Sequence, residues 1–345
     1  MKKLTPRRRE YYKRIAAKRY RRRLGRIPRR KKEKRKRLLP VSLRSASFDA
    51  PETFSLASPD KRDELMRFLK QLRNHVNKNG RAVISFDKTN GLLPCGTLFF
   101  VAALDCLLKD HPGRITSNYP KDPIVEQLFQ HIGVLTLLGN TSKVAITADN
   151  VRYWHFIRGT TGDTSPFKAL FSAYSSGLKE RIRDGLYESL SEAITNTIQH
   201  AYERSNASTT SDPEKRWWMF AQQKDGRLTL VVCDLGIGIP VSLRQKIQDH
   251  FRYALGRKRR HTQFIEIAIQ SKRSRTNWPH RGKGLPDMFE FVKNSGIGAF
   301  IIYSLDGSFI YDAALKNEVG RDFSIGIPGT LIQWEVPLAS FDEIT

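Results

Sequence analysis

Four short motifs occur in one order along the second half of the chain, and they restrict its fold more than any other feature. They read SEAITNTIQHAY from Ser191, DLGIGIP from Asp234, RGKGL from Arg281 and IPGT from Ile327. They combine polar side chains of a predicted helix with glycine-rich turns beside predicted strands and helices. Together they predict one site assembled from segments that are far apart in the sequence.

The first motif is predicted to be helical, because apolar residues recur at three- and four-residue steps from Ile182 to Ala201. Glu192, Asn196 and His200 follow at i, i+4 and i+8, which places them in a stripe beside the apolar face. An amide oxygen can bind Mg²⁺ and a carboxylate can accept a proton, so the pair suits metal-phosphate chemistry. An ordinary polar helix flank is the alternative explanation of this spacing.

The second motif follows an apolar run, Leu228 to Cys233, which predicts a buried strand ending at Asp234. Gly236 and Gly238 allow positive φ angles and the close approach of a flat ligand to the backbone. A carboxylate at the strand end can accept hydrogen bonds from an exocyclic amine such as that of adenine. A tight surface turn is the alternative.

The third motif precedes the sequence PDMFEFV, in which Pro286 suits the first position of a helix. Gly282 and Gly284 would leave backbone amides exposed at the helix N-terminus, and Lys283 adds positive charge. This arrangement predicts an anion site, although a glycine-rich helix start without a ligand is the alternative.

The ordered set resembles the GHKL ATPase superfamily, which includes gyrase B, the MutL mismatch-repair protein, gyrase-like heat-shock chaperones and bacterial histidine kinases. Its motifs are E-x-x-x-N, D-x-G-x-G, G-x-G and a final G-T, and this sequence has all four between about residues 168 and 337. The first motif is most similar to that of the anti-sigma-factor serine kinases. The resemblance implies a GHKL (Bergerat) α/β sandwich with ATP and Mg²⁺ as cofactors.

The resemblance also implies a role for each matching residue. Asn196 would be the Mg²⁺ ligand, Glu192 the base for water or a protein hydroxyl, and Asp234 the adenine reader. The other nucleotide-binding positions would be Gly236 and Gly238 beside adenine, Arg281, Gly282, Lys283, Gly284 and Leu285 at the phosphates, and Thr330 through a water at adenine.

Three functions follow from these roles. The first is a Mg-ATP-binding regulatory protein, an ATPase or a protein serine/threonine kinase. The second is a nucleic-acid-binding protein that uses ATP as a conformational clamp, and the third is a noncatalytic ATP-binding interaction module. The long basic segment between Pro240 and Arg281 is predicted to be a lid that contacts triphosphate or another anion.

The segment before the motifs alternates predicted helices and strands, which indicates α/β structure. The predicted elements are a helix through Leu65–Leu72, a strand at Ala82–Phe86, a helix at Thr97–Leu108, a strand at Arg114–Ser117 and a helix at Ile124–Ile132. The helix start GLLPCGTLFF resembles a STAS domain, the fold of anti-sigma-factor antagonists. Phosphorylatable members have serine where this chain has LPCGT, so we expect an internal scaffold or a surface that docks a protein partner rather than a kinase substrate.

The sequence therefore predicts a chain of mixed α/β and α+β class with four parts. They are a basic tail at 1–38, a linker or initial strand at 39–60, a STAS-like α/β domain at 61–150 and a GHKL domain at 151–345. Trp217 and Trp218 begin a further predicted strand, which pairs with the strand before Asp234 through a turn at Lys224-Asp225-Gly226.

The basic tail carries most of the charge of the protein. Residues 1–38 hold 21 Lys and Arg against two acids, which accounts for +19 of the total +26. Such density, in a partly helical or disordered segment, suits a DNA or RNA backbone, with an anionic membrane surface or a simple solubilising role as alternatives. The candidate nucleic-acid-binding residues are Arg7, Arg8, Arg9, Arg21, Arg22, Arg23, Lys31 and Lys32.

Three widely spaced cysteines, Cys95, Cys106 and Cys233, suit buried thiols in a reducing compartment. The sequence has no apolar stretch of transmembrane length, and no apolar core follows the basic N-terminus. We therefore expect a cytoplasmic protein, and self-association into a homo-oligomer is left open.

Overall fold

A small parallel sheet begins the part of the chain that the computed structural model describes, which comprises residues 45–174, 177–203, 214–247, 260–270 and 284–338. Its three strands have the order β1-β3-β5 and are β1 (Ser45–Asp49), β3 (Arg81–Ser85) and β5 (Ile115–Ser117). A two-stranded parallel ribbon of β2 (Thr53–Phe54) and β4 (Gly91–Leu92) lies beside it. Both β1 and β2 fall within 39–60, where the sequence left a linker or an initial strand open.

Two long helices, α1 (Pro59–Asn77) and α2 (Pro94–Asp110), connect the strands of the parallel sheet. Each begins with proline, whose fixed φ and missing amide hydrogen suit the first turn of a helix. Helix α2 is buried along almost its whole length, which explains why its sequence is apolar on every side. The predicted helices and strands of this half are therefore confirmed, with boundaries that differ by a few residues.

Three shorter helices follow, and they are α3 (Pro123–His131), α4 (Val134–Leu137) and α5 (Asp149–Arg152). Helix α3 has a capped N-terminus, because the Asp122 carboxylate accepts hydrogen bonds from the amides of Ile124 and Val125 at 2.9 and 3.0 Å. Helix α4 packs against α2, while α3 contacts both α4 and α5, and the chain then enters a second sheet.

The second sheet is antiparallel and has the strand order β6-β7-β8-β10-β9. Its strands are β6 (Trp154–Gly159), β7 (Trp217–Lys224), β8 (Arg227–Asp234), β9 (Ala299–Asp312) and β10 (Asn317–Pro337). The predicted hairpin between β7 and β8 is confirmed, since Asp225 and Gly226 have φ angles of 50° and 69°. The described chain is thus a mixed α/β protein.

Helices cover both faces of the antiparallel sheet. Helices α1 and α2 pack on one face, while the other is covered by α6 (Ser165–Ala173), α7 (Glu180–Asn196), α8 (Ile239–Ile247), α9 (His261–Gln270) and α10 (Gly284–Ser295). In β8, Val231 and Cys233 belong to the first core, whereas Leu230 and Val232 belong to the second. Burial on both faces explains the continuous apolar run of this strand.

The elements from β1 to β10 belong to one compact unit. Its first hydrophobic core joins side chains of the parallel sheet and α1 with side chains of the antiparallel sheet, including Leu65, Ile84, Trp218 and Tyr303. Of the three cysteines, Cys95 and Cys233 are buried thiols as expected, but Cys106 is partly exposed. Among the described residues, no helix is both long and apolar enough to cross a lipid bilayer.

Candidate functional site

A cavity of about 500 Å³ lies between the central strands β8 and β10 of the antiparallel sheet and the helices that cover its second face. It lies between the C-terminal part of α7, the turn after β8, the start of α10 and the middle of β10. Its wall contains Glu192, Asn196, Thr197, His200, Asp234, Gly238, Ile239, Ser242, Leu243, Gly284, Leu285, Pro286, Thr330 and Ile332 among others.

Most of the predicted nucleotide-site residues meet in this cavity. Those that line it are Glu192, Asn196, Asp234, Gly238, Gly284, Leu285 and Thr330. Gly236 lies in the same turn, where it contacts the Ala201 carbonyl and donates a hydrogen bond to Asp234, but it does not line the cavity. Arg281, Gly282 and Lys283 lie outside the described residues, and so do the basic tail and most of the predicted lid.

The helix that carries the first motif changes its geometry at the cavity. It is α-helical to Asn196 and continues as a π-helix from Thr197 to Ala201, so the predicted helix is confirmed and its last turn is wider than an α-helical turn. The wider π turn nevertheless leaves His200 on the cavity wall, where its Nδ1 lies 3.0 Å from Glu203 Oε1. Single π turns inside α-helices are frequent at functional sites.

Asp234 ends β8 as predicted and is buried beside the cavity, with only 7% of its surface exposed. The Gly236 amide donates a hydrogen bond to Asp234 Oδ1 at 2.8 Å. Burial raises the pKa of Asp234 to about 7, although hydrogen bonds from the amides of Gly236 and Thr330 act in the opposite direction. Among the described residues no cation pairs with this carboxylate, so a ligand that donates a hydrogen bond would satisfy it.

The turn after Asp234 packs directly against the end of the π-helix. The Ile237 amide donates to the Ala201 carbonyl at 2.7 Å, and a Cβ atom at Gly236 would overlap the same carbonyl oxygen. Only glycine therefore fits at position 236, because the space that a side chain needs is already filled by backbone. The first and second motifs are joined here by a main-chain contact.

Gly238 has a φ angle of 78° and lies against Ser304 and Leu305 of β9 and Gly329 of β10. A Cβ atom at Gly238 would lie 2.9 Å from Ser304 Oγ, and Ser304 is itself completely buried. The Ser304 hydroxyl accepts a hydrogen bond from the Ile239 amide at 2.9 Å and lies 3.0 Å from both the Gly329 carbonyl and Thr330 Oγ1. Ser304 thus joins the second and fourth motifs.

Sequence reasoning missed Ser304, because its role depends on strand pairing rather than on a local motif. Thr330 lies opposite Asp234 in the β8–β10 ladder and opposite Ser304 in the β9–β10 ladder. The only sequence signal is indirect, since Ser304 is a polar residue inside the apolar run of β9.

Glu192 lies against the first residue of α10. A Cβ atom at Gly284 would overlap Glu192 Oε1, so glycine at this position is what allows the carboxylate to reach the start of the helix. Burial raises the pKa of Glu192, and the nearby Asp287 raises it further, whereas His200 lowers it. Pro286 is the third residue of the described helix rather than the predicted first.

The cavity therefore offers two chemically different ends. One end presents a buried carboxyl group and the Thr330 hydroxyl, which can read a flat ligand with hydrogen-bond donors. The other presents a carboxylate of raised pKa, a side-chain amide and the N-terminus of α10, which suit proton transfer next to an anion. The described residues contain no cluster of three or more His, Cys, Asp or Glu that could hold a metal ion by itself.

No family model matches the chain, and a search of curated proteins found no significant relative.

Proposed function

We propose that this protein binds Mg-ATP in the cavity and is an ATPase or protein serine/threonine kinase of the GHKL type. The observation that carries the proposal is the meeting of four separate motifs at one cavity. Segments up to 138 positions apart in the sequence contribute residues to this one cavity, namely Glu192 and Asn196, Asp234 and Gly238, Gly284, and Thr330. Chance polar helix flanks and surface turns would not converge in this way.

The buried carboxyl group of Asp234 is better explained by a contact to an adenine ring than by a structural role. An isolated buried carboxyl group is unfavourable, and its raised pKa reflects that cost. The exocyclic amine of adenine would donate a hydrogen bond to it, while the Thr330 hydroxyl would bind the ring directly or through a water. The glycines at 236 and 238 allow the turn after Asp234 to pack closely against the Ala201 carbonyl and Ser304, which holds the carboxyl group in place at the cavity.

Asn196 would hold Mg²⁺ together with the phosphates of the nucleotide. Mg²⁺ is usually bound by one or two protein groups plus phosphates and waters, so a protein cluster of several acids is not required. When bound, the ion would neutralise charge on the phosphates. The side-chain amide oxygen of Asn196, next to the carboxylate one turn earlier on α7, suits this role.

Glu192 would act as the general base. Its carboxylate takes the proton from a water or from a serine or threonine hydroxyl while that oxygen attacks the γ-phosphorus. The bond between the γ-phosphorus and the bridging oxygen breaks, and ADP leaves with the electron pair. Because the raised pKa makes Glu192 a stronger base than an exposed glutamate, its position and its chemistry agree.

The N-terminal half would serve this activity as a STAS-like docking surface for a protein partner. Its regular alternation of parallel strands and helices supports the proposal at the level of topology. A nucleic-acid-binding role that uses ATP as a clamp is favoured by one further observation, the +19 charge of residues 1–38. Binding of ATP without turnover is the noncatalytic alternative.

The test is to measure Mg-ATP binding by calorimetry and to follow γ-³²P-labelled ATP with and without DNA, RNA or a generic serine-containing protein substrate. We expect saturable binding, release or transfer of labelled phosphate, and loss of affinity when Mg²⁺ is chelated. Absence of nucleotide binding would contradict the proposal. Binding without turnover under all these conditions would instead support the noncatalytic module.

A further inference from the structure

Arg62 is a fully buried cation that connects the N-terminal half of the protein with the antiparallel sheet. It lies on α1, and its guanidinium donates hydrogen bonds to the Leu305 carbonyl at 2.9 Å and to the Ile325 carbonyl at 3.3 Å. Its Cζ atom lies 4.1 Å from the centre of the Phe323 ring and 5.5 Å from that of Tyr303. All four partners belong to β9 and β10.

Burying the Arg62 guanidinium costs free energy of folding, so stability alone does not explain its position. Burial lowers the pKa of Arg62 to about 10, and no carboxylate among the described residues lies within ion-pair distance of it. A buried charge that is held by carbonyls and ring faces alone is seldom better for stability than an apolar side chain of similar size. The partners of the guanidinium are therefore informative.

The guanidinium binds the irregular part of the β9–β10 ladder. The register shifts twice between Asp322 and Thr330, and Leu305, whose carbonyl accepts the bond from Arg62, has a φ angle of 54°. A leucine in the left-handed region is strained and persists only where its surroundings hold it. Arg62 supplies one of the bonds that hold this bulge.

The bulge is adjacent to the cavity wall. Ser304, the residue before Leu305, bonds to the Ile239 amide, the Gly329 carbonyl and Thr330 Oγ1. A hydroxyl has one hydrogen and two lone pairs, so these three contacts use its capacity completely and fix its position. Gly238 also rests on this pair, since its Cβ atom would lie 2.9 Å from Ser304 Oγ and 3.0 Å from Leu305 Cγ.

We propose that Arg62 is a positioning residue for the nucleotide site. It holds the Leu305 carbonyl in place, and this fixes the contacts that Ser304 makes to the Asp234 turn and to Thr330. The α1 helix of the N-terminal half is thus an element of the adenine end of the cavity. A partner that docks on this half and shifts α1 would change nucleotide affinity through the same two residues. The identity of the ligand rests on the proposed function, whereas the coupling between α1 and the Asp234 turn does not.

The decisive variant is Arg62→Met, which removes every donor and keeps a long apolar side chain between the two rings. Arg67→Met is the matched control, because Arg67 is on the same helix, is exposed and, within the described part of the chain, donates a hydrogen bond only to the Asp63 carbonyl of its own helix. We expect Arg62→Met to weaken Mg-ATP binding by roughly three- to thirtyfold, the range of coupling through packed networks, and Arg67→Met to leave it unchanged.

Two further measurements separate positioning from general destabilisation. In a double-mutant cycle, Arg62→Met combined with Ser304→Ala should cost no more affinity than the more severe single change, because both act on the same contacts. Hydrogen exchange should accelerate at the amides of residues 239, 326, 327 and 329–331 in Arg62→Met, without nucleotide, while the strands distant from the bulge keep their protection. If Arg62→Met does not fold, Arg62→Lys should show the same effects in smaller measure.

The outcomes distinguish the inference from the proposed function. If the wild-type protein binds no ATP but exchange accelerates as described, the coupling stands and the assignment of the ligand fails. If the wild-type protein binds ATP while Arg62→Met keeps its affinity and its exchange pattern, the coupling is wrong. Additive losses in the double variant would also overturn it.

Discussion

Asp234 and Thr330 lie directly opposite each other where β8 pairs with β10, and the Thr330 amide acts to lower the pKa of the buried Asp234 carboxyl group. The pairing places the last residue of one motif-bearing strand beside the last residue of the IPGT motif. A buried carboxyl group and a hydroxyl group therefore face the same end of the cavity. We expect this pair to decide which base the site accepts.

The first prediction is that Asp234→Asn weakens Mg-ATP binding by about 10- to 100-fold. The amide replaces a charged acceptor with a group that also donates, and a hydrogen bond to a charged group contributes roughly 1.5 to 3 kcal/mol. Calorimetric titration measures the change. The matched control is Asp225→Asn in the β7–β8 turn, where asparagine suits the positive φ angle and binding should stay at the wild-type value. Equal affinity of the two variants would show that Asp234 does not contact the nucleotide.

The second prediction concerns pH. Because burial raises the pKa of Asp234 to about 7, the folded protein binds more protons than the unfolded chain between about pH 4 and 7. This contribution to the free energy of unfolding is fully present below pH 4 and is lost as the pH rises through 7, by at most about 4 kcal/mol. Urea unfolding at pH 5 and pH 8 should therefore show Asp234→Asn gaining stability relative to wild type at the higher pH.

The same proton links pH to binding. A carboxylate accepts the adenine amine better than the protonated acid does, so wild-type affinity should increase from pH 6 to pH 8 relative to that of Asp234→Asn. The comparison between the two proteins cancels the titration of the nucleotide itself. Parallel pH profiles would show that Asp234 does not titrate in this range or does not contact the base.

Much of this arrangement could be predicted from the sequence, because it depends on local signals. The apolar run before Asp234 gave a strand, the Asp225-Gly226 pair gave the hairpin turn, and helical spacing placed Glu192 and Asn196 together on α7. Each signal is contained within a few turns or one strand pair. Local pattern therefore predicts the elements and their polar ends.

The remaining features depend on contacts that are distant in sequence. Ser304 gains its role only when β9 pairs with β10 and the Asp234 turn rests on both. Arg62 lies among charged residues that resemble the exposed face of a helix, and its burial follows from packing against β9 and β10, more than 240 positions later. The π turn after Asn196 likewise ends at a contact that is distant in sequence, since the Ala201 carbonyl accepts a hydrogen bond from the Ile237 amide of the Asp234 turn.

The third prediction separates chemistry from binding. Glu192→Gln should retain Mg-ATP affinity but lower turnover or phosphotransfer by roughly 100-fold or more, which is the usual scale of a positioned general base. Glu188→Gln is the matched control, since Glu188 is exposed one turn earlier on α7. Single-turnover assays with labelled ATP measure the chemical step. Normal turnover by Glu192→Gln would exclude it as the base.

The fourth prediction uses the contact between Gly284 and Glu192. Gly284→Ala places a methyl group where Glu192 Oε1 lies, so the carboxylate must move and turnover should fall by about tenfold or more. The affinity for Mg-ATP should change less than turnover does, because the substitution displaces Glu192 and not Asp234. Gly162→Ala is the control, as its added methyl group would meet open space and its φ angle is ordinary. Equal turnover of both alanine variants would contradict the geometry.

The fifth prediction concerns the basic tail. Deleting residues 1–37 removes most of the excess positive charge, whereas every described wall residue of the cavity lies at Glu192 or later, so Mg-ATP affinity should be retained. Affinity for DNA or RNA should fall. If the tail neutralises several phosphates, binding by the intact chain should drop by orders of magnitude between about 50 and 200 mM salt, and the shortened chain should show a shallower dependence. Equal affinity and equal salt dependence of the two proteins would exclude the nucleic-acid role, and binding to anionic vesicles alone would assign the tail to a membrane surface.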